Sequence, residues 1–140
     1  MSRGNTPRIP LSPVEEELAR DVVDAAFHVH ATLGPGLLES VYEHCLAHEL
    51  AERGRFPRQQ VALPVSYRGT SLDAGYRLDM LVDDRLIIEV KAILDVLPIH
   101  HAQLLTYLKL SGCRIGFLIN FNTVLFKDGI KRFVVAPASL

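Results

Sequence analysis

The six residues Leu86-Ile87-Ile88-Glu89-Val90-Lys91 constrain this chain more than any others. Four are aliphatic and three of those are β-branched, the composition of a strand expected to be buried. A carboxylate and an ammonium in such a strand are costly unless they are paired, solvated at a cleft or bound to a metal. Glu89 and Lys91 are two residues apart, so they project from the same face. Asp79 lies on the preceding apolar segment. Two carboxylates and a lysine on one patch are the parts of a Mg²⁺-dependent hydrolytic site, in which hard oxygen ligands hold the ion.

Parity sets a condition on that site. If Asp83-Asp84 formed a strict two-residue turn, Asp79 would oppose Ile88 and face away from Glu89. A shared site needs Asp79 opposite Glu89, so the turn is expected to be a three-residue loop, Asp83 to Arg85, or to carry a bulge.

The rest of the chain supplies a frame. Residues 1–12 are polar and proline-bearing and read as a flexible arm; residues 13–140 read as a single domain. Ser12-Pro13-Val14-Glu15 is a helix start with a capping box, followed by Leu18, Val22, Ala25, Ala26, Val29 and Leu33 at helical spacing. Gly34-Pro35-Gly36 ends that helix. A second is expected over Leu38–Arg53, with an apolar face of Leu38, Val41, Tyr42, Cys45, Leu46 and Leu50. Alternation through Val61, Leu63, Val65 and Tyr67 predicts a strand, then a turn at Arg68-Gly69-Thr70, then strands over Gly75–Val82 and Leu86–Lys91. A third helix follows Pro98, about Ile99 to Leu110, and a buried strand runs from Arg114 to Phe121. Thr123–Lys127 and Ile130–Val135 flank Asp128-Gly129, a strong hairpin signal. The expected order is α-α-β-β-β-α-β-β-β.

Charge bears on the partner. The net charge is -1, which argues against a broad electrostatic grip on nucleic acid. The distribution is uneven: residues 14–52 carry -8 and residues 99–140 carry +4, so a polyanion is expected to lean on the C-terminal half. No apolar run reaches the roughly 18 residues of a membrane helix. With no secretory h-region and two distant cysteines, Cys45 and Cys113, a reducing cytoplasm is expected.

Asp79 followed by Glu89-Val90-Lys91 resembles the signature of the PD-(D/E)XK nuclease superfamily. Gln103-Leu104-Leu105-Thr106-Tyr107 resembles the Q-x-x-x-Y motif of its RecB-like branch, on the helix after the E-x-K strand. Gly36-Leu37-Leu38-Glu39-Ser40-Val41-Tyr42 resembles the motif that names the GxxExxY proteins of the same superfamily, as does the segment Ile119-Asn120-Phe121. The resemblance implies a restriction-endonuclease-like α/β fold, a mixed central sheet flanked by helices, and Mg²⁺- or Mn²⁺-dependent cleavage of nucleic acid, DNA in the first instance. It implies that Asp79, Glu89, the Val90 carbonyl and Glu39 hold metal. Lys91 would be the catalytic lysine, and Gln103 and Tyr107 would orient substrate. Tyr42 is a candidate substrate contact, as is His100, three residues before Gln103 and on its helical face.

Blander readings stand beside these. Glu39 in a first helical turn is favoured by the macrodipole alone, Tyr42 suits a core, and Lys91 could guard a sheet edge. His44 and His48 have i, i+4 ligand spacing, but the glutamate of H-E-x-x-H is replaced by Cys45. Three functions compete: a nuclease, working as a homodimer or with a protein partner that enlarges its basic surface; a catalytically silent binding or assembly module on the same fold; and a hydrolase of smaller phosphate esters.

Overall fold

The computed structural model describes residues 9–137. Helix α1 (Pro13–Leu33) opens with the expected capping box: the Ser12 hydroxyl accepts from the Glu15 N–H at 3.1 Å, and the Glu15 carboxylate accepts from the Ser12 N–H at 2.9 Å. Such a cap contributes about 1 kcal/mol. Residues 1–8 of the expected arm lie outside the described residues. In the part described, the Arg114 guanidinium donates to the Ile9 and Pro10 carbonyls at 2.7 and 2.9 Å, and Leu11 packs on the core.

Helix α2 (Glu39–Glu52) precedes five strands: β1 (Pro57–Ala62), β2 (Val65–Tyr67), β3 (Thr70–Leu72), β4 (Arg77–Val82) and β5 (Leu86–Lys91). Helix α3 (Pro98–Ser111) crosses to β6 (Ile115–Asn120), and β7 (Ile130–Val134) closes the chain. The main sheet runs β1-β4-β5-β6-β7. Only β5 and β6 are parallel, the pair joined through α3; the other three pairings are antiparallel. Helices α1 and α2 cover one face, where Leu18, Val22, Leu46 and Leu50 meet Met80, Ile88, Val90 and Phe117. Helix α3 covers the other through Leu104, Tyr107 and Leu108 against Ile87 and Leu118. This is the expected α/β class, a mixed sheet between helices.

Three details differ from the sequence reading. The alternation through Val61–Tyr67 is two strands, because Pro64 has no N–H to donate and the chain leaves the main sheet there. Residues 65–72 instead form a separate β2–β3 hairpin, turning at Arg68 and Gly69, both with positive φ (49° and 81°), the geometry of a tight hairpin. Thr123–Lys127 is not a strand: the Thr123 hydroxyl donates to the Leu125 carbonyl, a 3₁₀ turn spans Phe126–Asp128, and β7 pairs with β6. Gly129 serves close approach rather than a positive φ, since a Cβ there would lie 2.0 Å from the Asn120 carbonyl oxygen. Finally, Leu38 and Val41 are exposed, so the buried face of α2 is narrower than its apolar residues suggest.

Candidate metal-dependent active site

Leu86, Ile87, Ile88 and Val90 are fully buried or nearly so. Four such side chains contribute roughly 6–12 kcal/mol of gross apolar burial, enough to hold β5 in the sheet centre with a polar group in its middle. That group is Glu89, only 4% exposed. It projects to the α3 side, the side of Ile87 and Tyr107.

The turn before β5 is the three-residue loop that parity requires: Val82 pairs with Leu86, Leu81 with Ile87 and Met80 with Ile88. The next pair in that register is Asp79 with Glu89. There the ladder opens, and the Asp79 carboxylate accepts from the Val90 N–H at 2.8 Å. Leu78 joins Leu81 in the α3-side cluster, so the side-chain alternation of β4 slips by one across Asp79. The opened ladder brings the two carboxyls together.

The electrostatics follow from this placement. Burial first, and then the adjoining Asp79 carboxyl, push Glu89 up from 4.5 to about 9, against the opposing pull of Lys91. Glu89 Oε1 is buried and has no hydrogen-bond partner among the described residues. Burial, with Glu89, Tyr76 and Asp79 as lesser causes, likewise raises the Tyr107 phenol. Tyr107 therefore stands at the carboxylate pair as a hydroxyl able to donate. Gln103, one helical turn earlier and half-buried, shares its face of α3.

Other expected site residues are placed differently. Glu39 Oε2 accepts from the Ala92 N–H at 3.2 Å, fastening α2 to the exit of β5. Among the described residues no group of three or more His, Cys, Asp or Glu side chains is placed to hold a metal, so Glu39 is not drawn into one cluster with Asp79 and Glu89. Tyr42 is fully buried, stacks on Phe121 at 4.6 Å, donates to the Gly34 carbonyl and accepts from the Leu37 N–H. It clamps the loop that starts α2. The His100 Nδ1 accepts from the Leu97 N–H at 2.9 Å and caps α3. His44 and His48 line a groove between α1 and α2 with His28 and Cys45, and none of the site residues belongs to it.

Asn120 lies in the segment Ile119-Asn120-Phe121. It is 4% exposed and pairs in register with Lys91; its amide accepts from the Ile93 and Asn122 N–H groups and donates to the Ile93 carbonyl. It fixes the backbone just after Lys91. No sequence spacing identifies it, because its partners come from two loops.

A mixed α/β sheet with two carboxylates meeting at an opened ladder, and a lysine two residues beyond, matches the arrangement that the PD-(D/E)XK resemblance implies. The family model for the PD-(D/E)XK nuclease superfamily matches residues 16–133. The chain belongs to that superfamily. No curated protein and no solved structure matches, and no helix of the described residues is long and apolar enough to cross a membrane.

Proposed function

We propose that this protein is a divalent-metal-dependent nuclease that hydrolyses phosphodiester bonds of nucleic acid, DNA in the first instance. The observation that carries the reading is Glu89 Oε1, buried beside Asp79 and lacking a partner. A hard carboxylate oxygen without a hydrogen-bond donor, set beside a second carboxylate, fits Mg²⁺ or Mn²⁺. Asp79, Glu89 and the Val90 carbonyl would hold the ion, which when bound supplies Lewis acidity and positive charge at the phosphate. Glu89 must release its proton to ligate. Lys91 lies on the same strand face and offers its ammonium to the charge developing on a phosphate oxygen. Tyr107 and Gln103 present a hydroxyl and an amide that orient the substrate.

The motif around Gly36, Glu39 and Tyr42 supports placement with the GxxExxY proteins, and Gln103 with Tyr107 supports the RecB-like branch. In this reading Glu39 acts at one remove, holding the backbone that follows Lys91. The net charge of -1 supports action as a homodimer or with a protein partner. One observation favours a second reading, a catalytically silent module: Glu39 is spent on the Ala92 N–H, which leaves two carboxylates for the ion. Titration calorimetry with Mn²⁺, paired with cleavage of single- and double-stranded DNA and RNA, separates the two. Metal binding with cleavage, both lost in Asp79→Asn, is expected; metal binding without cleavage of any substrate supports the silent module.

A further inference from the structure

One aromatic ring stands at the site without a role in that scheme. Tyr76 lies three residues before Asp79, and its carbonyl accepts from the Leu63 N–H at 3.0 Å. Its ring centroid is 6.3 Å from that of Tyr107, with the planes inclined at 57°. Tyr107 is buried, whereas Tyr76 is 45% exposed. Tyr107 is close enough to Glu89 and Asp79 for both to raise its phenol. Tyr76 is therefore a rim ring, backed by a buried ring on the sheet face to which Glu89 projects.

The β2–β3 hairpin leaves the sheet at the same end, between Ala62 and Arg77, which pair with each other. Every residue from Ser66 to Arg77 is exposed. Tyr67 and Leu72 lie on one side of the hairpin, Ser66 and Ser71 on the other. Arg68 at its turn and Arg77 at its root form no ion pair among the described residues, whereas Arg55, Arg58 and Arg132 are each tied to carboxylates. An exposed aromatic ring followed directly by an unpaired guanidinium, with a second at the turn of the adjoining hairpin, is the equipment of a strand-binding surface. With a net charge of -1, local stacking suits this chain better than a broad electrostatic grip.

We propose that Tyr76 is a stacking platform for an unpaired base beside the phosphodiester presented to Asp79 and Glu89, with Arg68 and Arg77 following the backbone of the same strand. The protein then takes single-stranded or frayed nucleic acid in preference to intact duplex, because a paired base has no free face to offer. This rests on the nuclease reading and names its substrate class.

The test is fluorescence anisotropy in EDTA, with a labelled oligothymidylate and a blunt duplex of equal length as probes. Wild type is expected to bind the single strand more tightly. Tyr76→Ala is expected to weaken single-strand binding about tenfold or more, and Tyr76→Phe and Tyr76→Trp to retain it. Tyr76→Leu, which keeps apolar contact with Tyr107, is expected to fold and still lose the binding, separating stacking from packing. Single-strand binding unchanged in both Tyr76→Ala and Tyr76→Leu overturns the platform while leaving the nuclease reading intact. Equal losses on single strand and duplex also overturn it. If wild type binds neither probe, the nuclease reading fails and the platform with it.

Discussion

Replacing Glu89 with glutamine removes one ionisation and almost no volume, and the structure specifies the consequence. In the folded protein the carboxyl holds its proton up to about pH 9, against 4.5 ordinarily. Its folded value is raised, so its contribution to stability is fully present below about pH 4.5 and drains as pH climbs toward 9. Within that window the unfolded chain has released a proton that the folded chain retains. The loss approaches about 1.4 kcal/mol per pH unit. Between pH 6 and pH 8 the metal-free wild type should therefore lose about 2–3 kcal/mol through this one group. Glu89→Gln keeps the burial and cannot ionise. Urea denaturation of both proteins in EDTA at pH 6 and pH 8 cancels the common contribution of the histidines. The stability difference between variant and wild type should move by about 2–3 kcal/mol in favour of the variant. Mn²⁺ should restore wild type preferentially at pH 8, since ligation requires the carboxylate. A difference unchanged between the two pH values would show that Glu89 ionises normally, and the argument from its burial beside Asp79 would be wrong.

Three further outcomes follow from particular contacts. Lys91→Ala should lower the rate of cleavage by about 10²-fold or more while leaving the Mn²⁺ affinity from calorimetry nearly unchanged, because the ammonium acts on phosphate charge; equal loss of both would make Lys91 part of the metal's support. Tyr42→Phe should destabilise the fold by about 1–2 kcal/mol in urea, since it strips the bonds to Gly34 and Leu37, and should spare single-strand binding; loss of binding with stability intact would return Tyr42 to the substrate. Gly129→Ala should cost about 2 kcal/mol or more by thermal melting, because its Cβ would collide with the Asn120 carbonyl; an unchanged melting temperature would refute that close approach.

What was legible in the residues was whatever depends on neighbours in the chain. The Ser12–Glu15 cap lies within one turn, and the three-residue loop before β5 followed from parity once Asp79 and Glu89 were required to meet. What the residues leave open is which of several compatible partners a side chain takes. Asp128-Gly129 carries a hairpin signal, yet Gly129 is needed for its approach to Asn120 rather than for a positive φ. His100 lies on the face of Gln103 and still spends Nδ1 on Leu97. Tyr42 sits in a motif beside Glu39, but its hydroxyl turns inward to the loop it clamps. Tyr76 shares the alternation of Leu78, Met80 and Val82, which marks a strand and no partner; only the packing of α3 on the sheet brings it to Tyr107.

The proposed function rests on Asp79 and Glu89 sharing a divalent ion. Anomalous diffraction from a crystal soaked in Mn²⁺ tests it most directly. A peak is expected within coordination distance of one oxygen from each carboxylate and of the Val90 carbonyl, absent from Asp79→Asn soaked alike. A peak elsewhere, or ordered but unliganded Asp79 and Glu89 at saturating Mn²⁺, would contradict it.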